Sequence, residues 1–231
     1  MNIIWLGHGS FRIEIEDQVI LVDPWLTGNP MLTEDQHDAA LAGATHILVT
    51  HGHFDHVTDV AAISQAQNAP VSGMYELAQY LFAQNAVEGN AFNFGGTITL
   101  GEKVKASMVP ASHSSSADDG GRARYMGNES GFILRGEGKT LYISGDTGIM
   151  ADMAWIGEFY QPEIGILSAG GYFTMGMAEA AFAAKTYFNF KTVIPCHYRT
   201  FPLLEQSAKE LAAGLPGVEV IEPQVMQAIT L

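Results

Sequence analysis

The densest chemical signal in the chain is Thr50-His51-Gly52-His53-Phe54-Asp55-His56, four metal-ligand side chains within six residues, directly after the apolar run Ile47-Leu48-Val49. Imidazole nitrogens and carboxylate oxygens are donors that divalent first-row metals accept. A loop leaving a strand can present alternate side chains to one point, so His51 and His53 can share one cation, with Asp55 and His56 aimed at a neighbouring one. A solvated polar loop has no need of three of the chain's eight histidines in six positions. Further donors must come from other strand ends, because side chains in mid-strand face a core. Three positions fit: His113 after Met108-Val109-Pro110-Ala111-Ser112, Asp146 after Leu141-Tyr142-Ile143-Ser144-Gly145, and His197 after Val193-Ile194-Pro195-Cys196. Each alone has a plainer use, and Asp146 in Gly145-Asp146-Thr147-Gly148 also suits a turn or helix cap.

Other side chains can reach the same edge. His8, in a turn between the first two strands, is either a proton donor or occasional ligand at the site or a satisfied turn histidine. Asp23 either orients a ligand histidine from behind or makes an Asp-Pro turn with Pro24. Asp59 is read first as a negative charge near a helix N-terminus. Arg199, two residues after His197, is either a clamp for a substrate phosphate or carboxylate or a surface ion pair. Arg122 and Arg124 could close over an anion from a glycine-rich loop. Cys196 should face away from His197 into packing, because adjacent strand residues point to opposite faces. His37 and His46 are assigned no role.

Converging these positions takes strands whose ends share an edge. β-type runs recur along the whole chain: Ile3 to Leu6, Phe11 to Ile15, Val19 to Val22, Ile47 to Val49, Thr97 to Leu100, Val104 to Val109, Gly131 to Leu134, Thr140 to Ile143, Ile164 to Leu167, Thr192 to Ile194, Val218 to Ile221 and Met226 to Ile229. Helical spacing predicts helices over Val57 to Gln67, Met74 to Gln84, Ile149 to Glu158, Met177 to Phe188 and Leu203 to Ala213. Two mixed sheets, each with helices on its outer face, use these elements as a four-layer α/β sandwich. No linker interrupts residues 1–231, so one domain is expected. The polar stretch Ser114 to Gly127 reads as a mobile loop.

The His51-x-His53-x-Asp55-His56 run followed by His113, Asp146 and His197 resembles the metallo-β-lactamase superfamily, an αβ/βα sandwich with a metal site at one edge. More closely, Leu6-Gly7-His8-Gly9-Ser10-Phe11, Val22-Asp23-Pro24-Trp25-Leu26-Thr27-Gly28-Asn29-Pro30, His113-Ser114-Ser115-Ser116, Ser144-Gly145-Asp146-Thr147-Gly148 and His197-Tyr198-Arg199-Thr200-Phe201-Pro202 resemble a family of stand-alone metal-dependent hydrolases that is similar to the ascorbate-6-phosphate lactonases. Arg199 departs from that pattern, where a small or neutral residue is more usual. The resemblance implies His51, His53 and His113 on a first metal, Asp55, His56 and His197 on a second, and Asp146 bridging. Asp55 and His8 are the candidate catalytic residues, Arg199 the candidate substrate-binding residue. Two divalent ions roughly 3.5 to 4 Å apart can hold a water as hydroxide near neutral pH and stabilise a developing oxyanion. Zinc suits the donor set first; manganese, iron and nickel also fit it.

Composition narrows the partners. With 25 acidic against 11 basic residues the net charge is −14, which repels polyanions and disfavours a nucleic-acid partner. The loaded site would carry about +1, so a small anionic substrate is expected. The lone cysteine cannot form an internal disulfide, and neither a basic leader nor an apolar run of spanning length is present, which points to a cytoplasmic protein without a membrane partner. Trp25 and Tyr172-Phe173, if exposed, would permit a homo-oligomer, and they would equally pack inside. The expected function is hydrolysis of an ester, lactone or phosphodiester of a small molecule. The alternatives are a nuclease on the same fold, a di-iron oxidoreductase, and a non-catalytic metal-binding or regulatory module.

Overall fold

Alternating apolar residues at the N-terminus build an antiparallel meander: β1 (Asn2–Gly7), β2 (Ser10–Ile15) and β3 (Gln18–Val22). The computed structural model describes residues 1–231 and extends this meander into parallel strands β4 (His46–Val49), β5 (Val71–Met74) and β6 (Glu88–Phe92). Helices α1 (His37–Leu41), α2 (Phe54–Val57), α3 (Val60–Gln67) and α4 (Tyr75–Ala83) connect them. The chain then forms β7 (Thr97–Leu100), β8 (Val104–Pro110), a hairpin of β9 (Ser116–Asp118) and β10 (Ala123–Tyr125), β11 (Ser130–Gly136) and β12 (Lys139–Ile143). After α5 (Met153–Tyr160) come β13 (Ile164–Ser168), α6 (Met177–Tyr187), β14 (Thr192–Cys196), α7 (Lys209–Gly214), β15 (Glu219–Val220) and β16 (Ala228–Thr230).

Two seven-stranded mixed sheets result, in the orders β16-β1-β2-β3-β4-β5-β6 and β15-β14-β13-β12-β11-β8-β7. Helices flank both, giving the expected α/β sandwich. Strands β13 and β14 are buried along their whole length, as strands covered on both faces must be. One cluster of 59 buried residues runs through both sheets. No helix is long and apolar enough to cross a membrane.

Strand direction decides where the site forms. β1, β3 and β4 point the same way, since β2 is antiparallel to both β1 and β3 while β3 pairs parallel with β4. In the second sheet β8, β12, β13 and β14 likewise agree in direction. Every singled-out ligand position follows the C-terminal end of one of these strands.

Four expectations change. The helix read over Val57 to Gln67 breaks into α2 and α3, and α2 carries Asp55 and His56. The segment 71–74 is a strand, and the helix begins at Tyr75. The helix expected from Leu203 starts only at Lys209, because the Arg199 amide donates to the Glu205 carbonyl (2.8 Å) and the Glu205 amide to Gly170 (2.9 Å). Those bonds hold 203–205 across the end of β13 in a non-helical path. The loop read over 114–127 contains the β9–β10 hairpin.

Candidate metal centre

The loops after β1, β3, β4, β8, β12 and β14 bring His8, Asp23, His51, His53, Asp55, His56, His113, Asp146 and His197 to one edge. Ligand atoms of His51, His53 and His113 all lie within 4.8 Å of one another, and so do those of His8, Asp55, His56 and His197. The first group holds the three residues expected to share one ion. The second holds the three expected on the other, with His8 added. Asp146 lies between the groups: its Oδ2 is 3.9 Å from His51 Nε2, 3.5 Å from His56 Nε2, 3.6 Å from His113 Nε2 and 3.0 Å from His197 Nε2.

Hydrogen bonding behind these rings turns bare nitrogens inward. Asp23 accepts from the Thr50 amide (2.7 Å), the Thr50 hydroxyl (2.5 Å) and His56 Nδ1 (2.8 Å). His56 Nε2 is thereby the nitrogen turned toward the cluster, and it is buried with no hydrogen-bond partner. Because the Thr50 hydroxyl proton goes to Asp23, His51 Nδ1 donates to Thr50 Oγ1 (3.0 Å) and leaves Nε2 bare. That Nε2 faces His53 Nδ1 at 3.0 Å, while His53 Nε2 lies 3.3 Å from Ser114 Oγ. A neutral His53 protonated on Nδ1 donates to His51 Nε2, and moving that proton to its own Nε2, toward Ser114, frees both facing nitrogens for one ion, so this donor set fits divalent metal ions.

The backbone is strained where the site needs it. His8, Asp23 and His197 adopt left-handed φ values of 52°, 46° and 60°, which cost a non-glycine residue energy and persist only when neighbours enforce them. The His8 carbonyl accepts from Trp5 Nε1 (2.8 Å) and from the His197 amide (2.9 Å), locking both turns together. Gly9 makes room for the site: a Cβ there would lie 2.7 Å from His56 Cε1.

Charge is distributed unevenly. Burial pushes the His51, His53 and His113 imidazoles below their ordinary range. Burial also brings His8 down to about 4, against the opposing hydrogen bond to Asp55. His8 is therefore neutral, donating from Nε2 to Asp55 Oδ2 (2.8 Å), with Nδ1 2.8 Å from the Thr200 hydroxyl. For His56 and His197 burial acts the same way but loses to nearby carboxylates, Asp146 foremost; His56 rises well above the usual value and His197 to about 9. Asp146 and Asp55 are held below the carboxylate range, burial being outweighed by His197 and His56 at Asp146 and chiefly by His56 at Asp55.

Arg199 is the predicted site residue that the fold does not bring in. Its guanidinium lies 6.0 Å from the Trp5 ring and 5.8 Å from the Tyr198 ring and does not line the cavity over the ligand cluster. Its backbone is left-handed (φ 66°), as is that of His197 (φ 60°). Arg124 is likewise engaged elsewhere, 5.3 Å from the Tyr80 ring and paired with Asp119 at 3.8 Å. Asp59 stands at the N-terminus of α3, as expected, and its carboxylate accepts from the Leu26 and Thr27 amides at 2.7 and 2.9 Å, fixing the loop after β3. Trp25 packs inside, the second of its two readings, and Cys196 is buried as expected. Sequence reasoning missed Thr50 and Thr200, whose flanking positions to His51 and His197 were the available signal.

A family described as beta-lactamase superfamily domain matches residues 18–198. The chain belongs to that superfamily. Proteins named UPF0173 metal-dependent hydrolase from Roseobacter denitrificans and from Ruegeria pomeroyi are each 63% identical to it over 229 residues, covering 99% of this chain and 99% of theirs. Membership therefore extends to that family of metal-dependent hydrolases. Among solved structures, a metallo hydrolase from the hyperthermophilic archaeon Ignicoccus hospitalis is 30% identical with a TM-score of 0.84, covering 100% of this chain and 98% of its own.

Proposed function

We propose that this chain is a single-domain hydrolase working with two divalent ions, zinc first, on an ester, lactone or phosphodiester of a small molecule. His51, His53 and His113 would hold one ion, Asp55, His56 and His197 the other, and Asp146 both. The observation that carries this reading is the Asp146 carboxylate, within 3.0 to 3.9 Å of imidazole nitrogens from both groups. When bound, such a pair lowers the pKa of a coordinated water and polarises the bond under attack. The chain's own residues do the rest. Asp23 fixes the face that His56 presents, and Thr50 does so for His51. His8 holds Asp55 through its Nε2 proton and is itself held by Thr200, which keeps the carboxylate from swinging out of the second group. Two divalent ions outweigh the charge of Asp55 and Asp146, so the centre would be locally positive inside a chain of net −14. That combination favours a small anion over a polyanion. A free buried thiol at Cys196 suits a reducing compartment such as the cytoplasm.

Elemental analysis of the replete protein, paired with a screen of chromogenic phosphodiesters, lactones and esters, tests this. Two transition-metal ions per chain are expected, with hydrolysis lost on stripping and regained on zinc addition. His51→Ala and His113→Ala should weaken the first ion, Asp55→Ala and His197→Ala the second. A protein that holds no ion after zinc loading overturns the reading.

A further inference from the structure

A cavity of about 500 Å³ opens over the ligand cluster, and its two sides differ. Beside the first group the lining is polar, with His53, His113 and Ser114. Beside the second group it is Phe54, Phe173, Phe201 and Leu203. No lysine or arginine lines it. Phe54, Phe173 and Leu203 are 63%, 53% and 54% exposed, large apolar side chains left open to water at one mouth. Scattered apolar residues on a surface are ordinary, whereas a cluster that walls a cavity marks a binding surface.

The wall is built, not incidental. Trp25, 3% exposed, stands behind it with its ring 5.8 Å from Phe54 in an edge-to-face contact (83°) and 6.4 Å from Phe201. Its Nε1 donates to the Thr27 carbonyl (2.8 Å), and Asp59 holds the amides of Leu26 and Thr27. The same ring meets His8 edge-on at 5.4 Å, and Phe173 meets His197 edge-on at 6.4 Å. The apolar wall is thus continuous with the side chains of the second group.

We propose that this wall receives an aryl or branched alkyl group of the substrate, on the side of the scissile bond facing Asp55 and His197, with Phe54, Phe173 and Leu203 setting specificity. The placement of the scissile bond rests on the hydrolase reading; binding of the apolar group does not. A small molecule is the occupant favoured, because the wall descends to the ligand cluster at the cavity floor, beyond the reach of a protein face laid across the mouth.

The test uses zinc-loaded protein carrying fluorotryptophan at Trp5, Trp25 and Trp155, with the Trp25 fluorine signal assigned from Trp25→Phe. Phenylacetate and acetate are titrated as probes sharing one carboxylate. Phenylacetate should move the Trp25 signal saturably, at roughly tenfold lower concentration than acetate, while Trp5 and Trp155 stay still. Phe173→Ala and Leu203→Ala should each weaken that binding about fivefold or more, with unmoved Trp5 and Trp155 signals reporting an intact fold. In parallel, kcat/KM for benzyl acetate should exceed that for methyl acetate, and the excess should fall in both variants. Phenylacetate binding without hydrolysis of either ester upholds the wall and counts against the hydrolase reading. Equal binding of the two probes, or a preference untouched by both variants, overturns the proposal even if both esters are hydrolysed.

Discussion

Asp23 shows how much a single turn residue carries. Both oxygens are used, by two groups of Thr50 and by His56, and all are buried. Its use in an Asp-Pro turn and its use behind a ligand histidine, weighed as alternatives in the sequence, coexist in one side chain. Asp23→Ala should cost about 2 to 5 kcal/mol in urea unfolding, since buried donors lose their acceptor. It should also weaken the second ion by roughly 10- to 100-fold in a chelator competition. The ligands themselves were legible because the donor types cluster in so few positions. The place of Arg199 was not legible, because its sequence distance from His197 does not report that its guanidinium packs over Trp5 and Tyr198.

The two ligand groups differ in their protons, which separates them by pH. A coordinating imidazole must be neutral. His51, His53 and His113 are depressed by burial, so in metal-free protein at pH 7 they already carry no extra proton. His197, raised to about 9, does, as does His56. Loading the second group must therefore displace protons, and its affinity should climb as pH rises from 6 toward 9; the first group should load with little pH dependence over that range. An indicator dye in weakly buffered solution reads the release. The dye change should accompany the second equivalent of zinc and shrink in His197→Ala, where His56 is the raised imidazole that remains.

At the scale of elements, the strands with β-type apolar runs were readable whether or not they bear ligands, and β5, β6, β9 and β10, which lack such runs, were not. Val71-Ser72-Gly73-Met74 has the composition of a turn, yet it is a buried strand. A Cβ at Gly73 would lie 2.5 Å from Val49 Cγ2, so the glycine permits close pairing with β4 instead of ending a strand. Tertiary contact decides, and no local pattern reports it. The same logic governs α5, which meets the end of α6 at Gly157, where a Cβ would fall 1.9 Å from the Tyr187 carbonyl oxygen. Although alanine is the better helix former by about 1 kcal/mol, Gly157→Ala should destabilise the protein by about 1 to 3 kcal/mol or more, because α5 must lift off its neighbour. Chemical denaturation measures the sign. A stabilised variant would mean that the close approach relaxes freely.

Over the whole molecule, the two-sheet architecture followed from counting elements, while the joining of the sheets did not. Each sheet supplies part of the ligand set: His51, His53, Asp55 and His56 follow β4, whereas His113, Asp146 and His197 follow strands of the second sheet. Protein bonds cross at the same edge, the Thr50 carbonyl accepting from the Ser130 amide (3.0 Å) and hydroxyl (2.9 Å) and the His8 carbonyl from the His197 amide. Ions held by both groups would act as further cross-links between the sheets, and a ligand bound by the folded state alone stabilises it by mass action, about 4 kcal/mol at a thousandfold excess over Kd. Without them, several buried imidazoles and two carboxylates share one edge with incomplete compensation. Chelation should therefore lower Tm by several degrees or more, and the loss should grow with chelator until the centre is empty. Hydrogen exchange locates the effect. If the ions bridge the sheets, protection should fall together at the ends of β4, β12 and β14 and remain high at β2 and β11, whose centres lie in the common core. Loss confined to residues 50–57 would instead mean that the ions belong to one loop, and that the core alone holds the sheets together.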